Sequence, residues 1–189
     1  MPTVIINDVA YEAMVGERLL TIARRNAAHI GFACDDQGIC QTCQCRVLAG
    51  AQHLSPPNEA EQIWMPDTRL AHGHRLACQA SLRGPGPVAI LTGVEEFRRQ
   101  VQDVLRFGDE RDIVDRMEPM LENLVRASVD QLRGYPANMI STLARVGPQR
   151  FFWPWADRKR LDNWLDDTAR VTRRMSSGRL PSDTPRSSD

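Results

Sequence analysis

The feature that most constrains the fold of this chain is the uneven placement of five cysteines in its 189 residues. Four of them lie between positions 34 and 45, one stands alone at position 78, and the second half has none. The first residues lack the basic and then apolar pattern of a secretory signal, so a disulfide framework is not expected. The thiols indicate metal or redox chemistry, confined to the N-terminal half.

The spacing of the thiols favours one particular cofactor. Three lie in one loop and the fourth is distant: Cys34, Cys40, Cys43 and Cys78. Four cysteine thiolates are the ligand set of a [2Fe-2S] cluster, which we predict as the cofactor. Such a loop has to turn backbone N–H groups towards the sulfurs, and Gly31 and Gly38 would allow that tight path. Asp35 and Asp36 are expected at the surface, where they could meet a basic redox partner.

The cysteines and histidines of the N-terminal half allow alternative interpretations. Cys40 and Cys43 alone would also fit a structural zinc site. Cys45 is either a spare ligand or, as buried cysteines usually are, a small apolar residue, and we favour the second interpretation. His72 and His74 are expected to be loop residues, because a Rieske-type centre would need two histidines in place of two cysteines. The sequence has no nucleophile–base arrangement and no nucleotide fingerprint, so we predict an electron carrier without catalytic residues.

Strand and helix patterns are mixed around the cysteines. Residues 3–15 predict a β-hairpin, residues 17–28 carry leucine and alanine at helical spacing, and a short helix is expected from Ser55. Further strands are predicted at 45–48, 75–81 and 87–92. Together these patterns indicate an α+β domain.

The motifs around the cysteines resemble a known family. Cys34–Cys43 followed by Arg46–Gly50 resembles the cluster loop of [2Fe-2S] ferredoxins, and Leu54–Pro57 with Arg75–Gln79 resembles the rest of that domain. The resemblance covers about residues 2–93 and implies a β-grasp fold with a one-electron cluster near the surface. Five residues separate the first two cysteines, where plant-type ferredoxins have four. The longer spacing is similar to that of vertebrate and bacterial hydroxylase-partner ferredoxins. It changes the expected identity of the redox partner more than the expected type of cluster.

After Gly93 the pattern becomes helical. Residues 94–105 and 113–132 carry apolar residues every three to four positions, with Pro119 expected to split the second stretch and Gly134–Pro136 to end it. Shorter helices are expected at 139–143 and 161–175. We therefore predict a ferredoxin domain, a helical docking or anchoring region and a disordered tail, with bounds 1–93, 94–175 and 176–189.

An aromatic run stands out in the helical region. Phe151–Trp155 contains four aromatic residues, next to Arg150 and the basic run Arg158–Arg160. This combination is favoured at membrane interfaces and equally in protein docking surfaces. The alternative is a helical appendage that packs on itself or on the ferredoxin domain. No stretch reaches the ~18–20 apolar residues of a membrane span, so we expect a cytoplasmic protein or one peripheral on a membrane.

A second resemblance concerns the whole architecture. The junction Thr92–Arg99, after a domain that contains Ala28–Cys34, is similar to the ferredoxin-domain proteins of the chlorosome envelope in green photosynthetic bacteria. The resemblance implies a helical region on the lipid monolayer around the antenna pigments and redox control of energy transfer out of the antenna. It would place the chain at the chlorosome envelope.

Three functions follow from these observations. The chain is a redox component of an assembly, a soluble ferredoxin for an oxygenase or reductase, or the electron-transfer subunit of an oxidoreductase complex. Charges are nearly balanced up to Gly93, which disfavours the soluble carrier, because such carriers commonly steer encounters with a strong field. The formal net charge of zero gives no basic surface for nucleic acid. The expected partners are redox proteins and a lipid surface.

Overall fold

The computed structural model describes residues 1–105, 113–155 and 157–177. Within these residues five strands form one mixed sheet: β1 Thr3–Ile6, β2 Val9–Glu12, β3 Gln44–Ala49, β4 His74–Leu76 and β5 Val88–Thr92. Their order across the sheet is β2-β1-β5-β3-β4. β1 and β5 are parallel, and the other neighbouring pairs are antiparallel. The sheet and the helices around it confirm the predicted α+β class.

Seven α-helices and one 3-10 helix, Ala51–His53, accompany the sheet in the described residues. The α-helices are α1 Leu19–Arg25, α2 Glu59–Trp64, α3 Asp67–Ala71, α4 Gly93–Val104, α5 Ile113–Val146, α6 Pro148–Phe152 and α7 Arg158–Ser177. Local sequence explains two of their starts. Asn58 and Glu61 form a reciprocal capping box at the start of α2. The Thr92 side chain accepts the Glu95 N–H at the start of α4.

The main core lies between the sheet and α1. Leu20 and Ile22 of α1 share one apolar cluster with Val4 and Ile6 of β1 and Ile90 of β5. The alternation of β1, in which every second residue is buried, is typical of a strand with one face on the core. The hairpin and the first helix are therefore confirmed.

Two local predictions in the N-terminal half were wrong. The strand expected over 75–81 ends at Leu76, because the chain turns there: the N–H groups of Gln79 and Ala80 both donate to the Leu76 carbonyl. This turn contains Cys78. His74, expected in a loop, is the first residue of β4.

The prediction that Pro119 and Gly134–Pro136 interrupt the long helical stretch was also wrong. α5 runs without a break from Ile113 to Val146, and it includes the predicted short helix at 139–143. An interior proline removes one backbone donor, and the leucine, glutamate, arginine and alanine around it favour the helix strongly enough to continue it. The predicted tail lies outside the described residues from 178 onwards, and its first two residues belong to α7.

The helices after Gly93 return to the N-terminal half. Val171 of α7 is buried in the main core, and Trp164 packs against it. Tyr135 of α5 meets Trp64 of α2 with ring centroids 6.4 Å apart. One alternative for this region was packing on the N-terminal half, and α5 and α7 do pack there. The division at Gly93 stays a prediction. None of the helices in the described part combines the length and apolar character that crossing a membrane requires.

Candidate metal centre

The loop between α1 and β3 carries three of the predicted ligands and follows a tight path. Five of its residues have left-handed backbone angles: Ala27, Asp35, Asp36, Gly38 and Gln41. Gly31 has a different reason to be glycine, because a Cβ there would lie 2.5 Å from the Thr42 carbonyl oxygen. The expected role of Gly31 and Gly38 in the path of this loop is confirmed.

The four predicted ligand thiols interact in two pairs. Cys34 interacts with Cys40, and Cys43 interacts with Cys78. Cys40 is partly exposed and the other three are buried. The interaction within the first pair lowers the pKa of the Cys40 thiol to about 5 and raises that of Cys34 above its ordinary value. In the second pair the same effect lowers the pKa of Cys78 and raises that of Cys43.

Backbone N–H groups near these sulfurs lower the thiol pKa values. Ile39 and Cys40 act in this way on Cys34, Thr42 and Cys34 on Cys40, and Cys78 on Cys43. The side-chain amide of Gln79 adds a bond of 3.3 Å to the sulfur of Cys78. Donors directed at sulfur stabilise its thiolate form, which is the form that binds metal. Four thiols with N–H donors around them therefore fit an anionic iron–sulfur cluster.

Cys45 differs from the other four cysteines. Its side chain is buried on β3, and its thiol lies 3.6 Å from the Arg75 carbonyl oxygen as a donor. Burial raises the pKa of this thiol to about 12. The expected burial of Cys45 is confirmed, and its role as a small apolar residue and not a ligand stays a prediction.

The prediction for the two aspartates of the loop was wrong. Asp35 is buried, and its carboxylate accepts a hydrogen bond of 2.7 Å from Arg24 of α1. Asp36 is half-buried, and burial raises the pKa of its carboxyl. The left-handed backbone turns these side chains towards α1, where Arg24 supplies the opposite charge.

A buried ion pair supports the segment that carries the distant thiol. Glu61 of α2 is fully buried and accepts bonds from Arg75 at 2.8 and 2.9 Å and from the Leu76 N–H at 2.9 Å. Arg75 and Leu76 end β4, just before the turn at Cys78. Glu61 therefore fixes the direction in which the chain enters that turn.

Sequence reasoning missed side chains from the second half that reach the cysteine loop. Arg145 of α5 and Trp164 of α7 each donate to a backbone carbonyl of this loop. Both are separated from it by more than a hundred residues and have the ordinary spacing of helix residues. No sequence signal could have selected them.

Comparisons with known proteins find iron–sulfur relatives of the N-terminal half. The model of the 2Fe-2S iron–sulfur cluster binding domain matches residues 4–83. Chlorosome protein J of Chlorobaculum tepidum is 46% identical over 96 residues, which are 51% of this chain and 43% of that protein. The 2Fe-2S ferredoxin-5 of Aquifex aeolicus is 31% identical over 93 residues, 48% of this chain and 97% of that ferredoxin. The crystal structure of an ISC-like [2Fe-2S] ferredoxin from Pseudomonas putida matches 48% of this chain and 91% of its own, with 23% identity and a TM-score of 0.41.

The mixed sheet and the cysteine loop define an iron–sulfur protein of the ferredoxin type. The chain belongs to the [2Fe-2S] ferredoxin family, and its cofactor is a [2Fe-2S] cluster. The ferredoxin domain is followed by a helical region, in a chain that spans less than half the length of chlorosome protein J.

Proposed function

We propose that four thiols hold the cluster, one iron to each pair, and that the protein carries single electrons within a larger assembly. The ligands are Cys34 with Cys40 and Cys43 with Cys78. The pairing of the thiols carries this proposal, because each iron of a [2Fe-2S] cluster takes two protein ligands. A structural zinc ion would instead need all four ligands around one point. When bound, the cluster supplies a one-electron couple.

The protein residues have two roles in this chemistry. The backbone donors at Ile39, Cys40 and Thr42 offset negative charge on the sulfurs, which favours the reduced state. Cys40 is the partly exposed member of the ligand set. Electrons are therefore expected to enter and leave on the Cys40 side of the loop.

The ligand assignment predicts a brown protein with two irons and two labile sulfides per chain. Replacing Cys34 or Cys78 with serine should abolish or badly weaken the cluster, because an alkoxide oxygen is a poor substitute for thiolate sulfur. Cys45→Ser is the matched control and should leave the visible absorption spectrum largely intact. Analysis of iron, zinc and labile sulfide measures the metal content, and the visible absorption spectrum shows whether the cluster is present in each variant. A colourless protein with one zinc, or loss of the cluster in Cys45→Ser alone, would contradict the assignment.

We further propose that the assembly is a chlorosome envelope or a similar lipid-bounded structure, where the couple would control energy transfer. The 46% identity with chlorosome protein J supports this location. Phe152 and Trp153, each 68% exposed, are followed in the sequence, five and six residues after Trp153, by the exposed basic residues Arg158 and Lys159. Aromatic rings favour the headgroup boundary and basic residues attract anionic lipid.

Exposed apolar residues also extend along α5. Those at helical spacing are Leu121, Leu124, Val125, Val129 and Leu132. By contrast, Trp155 is half-buried, with its ring centroid 5.7 Å from that of Trp164. The aromatic run therefore divides: Phe152 and Trp153 are available to a surface, and Trp155 packs within the protein.

Flotation with anionic vesicles at low salt tests the anchoring proposal. The full-length protein should float with the vesicles, and Phe152→Ala with Trp153→Ala should weaken binding at least tenfold, about 1.4 kcal/mol, through lost apolar burial. Phe97→Ala removes another exposed ring, on α4, and serves as the control. If the full-length protein does not float with anionic vesicles even at low salt, anchoring is refuted and the helices are better explained as a protein-docking module.

A second candidate is an electron carrier for an oxygenase or reductase, either soluble or as a subunit. The match to ferredoxin-5 over 97% of that protein favours it, because it shows a ferredoxin that consists of this domain alone. Fractionation of cell extracts separates the candidates. Sedimentation with envelope membranes supports the first, and recovery in the supernatant or with an oxidoreductase supports the second.

A further inference from the structure

The end of α5 reaches the cysteine loop with a charged side chain. Arg145 donates from Nη2 to the carbonyl oxygen of Gln37 at 2.8 Å and, at 3.4 Å, to that of Gly38. These residues lie between Cys34 and Cys40, the thiols of the first pair. One arginine from the helical region therefore holds the middle of the loop segment that joins two proposed ligands.

The charge of Arg145 is not balanced by these contacts. The acceptors that it reaches in the described part of the chain are neutral carbonyl oxygens, and its buried Nε has no partner there. A buried donor without a partner and a half-buried cation facing neutral groups are both costly. An anionic cluster inside the loop would supply the missing negative charge.

A second helix, α7, contacts the loop five residues before Gln37. Trp164 of α7 donates its indole N–H to the carbonyl oxygen of Phe32 at 3.1 Å, and the two rings pack edge to face with centroids 6.3 Å apart. Phe32 lies two residues before Cys34. The contact is neutral, so it can restrain the loop without changing the electrostatic potential at the cluster.

The same helix also reaches the loop through an ion-pair chain. Asp167 of α7 accepts a bond of 2.5 Å from Arg24, and Arg24 donates to Asp35 at 2.7 Å. Because Arg24 belongs to α1, these two ion pairs connect both the loop and α7 to the same residue of that helix. Two helices outside the matched ferredoxin segment thus hold the loop on both sides of Cys34.

We propose that Arg145 and Trp164 are positioning residues of the iron–sulfur site, which clamp the cysteine loop from the helical region, and that the Arg145 charge also raises the reduction potential. The inference rests on the ligand set proposed above. Reduction adds one negative charge to the cluster, so a nearby cation stabilises the reduced state. The clamp keeps the loop closed over the cluster and slows its loss.

Full-length holoprotein variants separate the two effects. Arg145→Gln should shift the reduction equilibrium about tenfold towards the oxidised state, about 59 mV for one electron, and should bleach several-fold faster in a chelator. Arg145→Lys keeps the charge but replaces the guanidinium, whose Nη2 reaches both carbonyls, with a shorter side chain, so it should bleach faster at a nearly unchanged potential. Trp164→Phe removes the N–H donor, keeps a smaller aromatic ring at the position, and should also bleach faster at a nearly unchanged potential. Redox titration followed by electron paramagnetic resonance and visible bleaching measure these changes.

Arg150→Gln is the matched control, because it removes one positive charge from the exposed side of α6. It should leave both measurements unchanged. Equal behaviour of Arg145→Gln and Arg150→Gln would overturn the inference. If Arg145→Gln does not fold, unchanged bleaching in both Arg145→Lys and Trp164→Phe would overturn it. A wild-type protein without a [2Fe-2S] cluster would instead refute the proposed ligand set.

Discussion

Replacing Glu61 with glutamine should destabilise the protein and cause early loss of the cluster. Glu61 is fully buried and accepts both Arg75 donors and the Leu76 N–H. The substitution keeps the shape of the side chain but leaves the Arg75 guanidinium buried without a counter-charge. Breaking one side of a buried pair in this way costs about 3–5 kcal/mol in the free energy of unfolding.

The expected change in melting temperature follows from the size of the chain. For a protein of this length each kcal/mol corresponds to about 2–4 °C, so a loss of about 3–5 kcal/mol lowers the midpoint by about 6–20 °C. Thermal unfolding followed by far-ultraviolet circular dichroism measures it, with visible absorption recorded in parallel. Because β4 enters the turn at Cys78, bleaching should precede or accompany the unfolding of the variant.

Two controls distinguish the pair from general effects of charge. Glu59→Gln removes an exposed carboxylate from the same first turn of α2 and should cost at most about 1 kcal/mol. Replacing both Glu61 and Arg75 with methionine leaves no uncompensated charge, so the loss should be smaller than in Glu61→Gln alone. A Glu61→Gln protein that melts within about 2 °C of wild type would refute the argument.

Two further predictions concern stability. Burial, with Arg69 and Arg46 adding to it, lowers the pKa of His74 to about 4, so between about pH 6.5 and 4 the unfolded chain binds a proton that the folded chain does not. Stability should fall as the pH drops through this window, and less so in His74→Gln, as measured by urea midpoints at pH 7 and pH 5. Val171→Ala should cost about 1–3 kcal/mol because it empties a buried position in the main core, whereas Leu165→Ala, on the exposed side of α7, should change the urea midpoint little. Equal midpoint changes in the two α7 variants would show that α7 does not pack on the core in solution.

The parts of the fold that the sequence predicted are those set by local patterns. The hairpin, α1 and β5 carry their own periodicity, and each has a glycine or turn signal at its edge. The strand expected over 75–81 failed, because its end depends on a turn after Leu76. The break expected at Pro119 failed for the opposite reason: a local penalty of one proline was outweighed by the helix formers on both sides.

For the candidate site, the sequence predicted the cysteine ligands but not the side chains that support them. Candidate thiolate ligands can be proposed from spacing, because a ferredoxin-type [2Fe-2S] cluster takes four cysteines and only Rieske-type centres replace two of them with histidine. The exposure of Asp35 could not be judged, because its partner Arg24 is identified only once α1 and the loop are folded together. Arg145 looks like any other arginine of a long helix until its contact with Gln37 is known.

The contacts between the helices and the loop also bear on how the two halves should be separated experimentally. Truncation after Gly93 would remove the surface of Phe152 and Trp153, but it would also remove Trp164 from Phe32 and Val171 from the main core. Loss of vesicle binding in such a truncation would therefore coincide with a loosened cluster loop and an opened core. Replacing Trp155 in the aromatic run would have the same drawback, because it would disturb Trp164 as well as the surface. Single changes at exposed positions keep the core and the loop contacts intact, so they can assign anchoring and cluster binding to different residues of one folded protein.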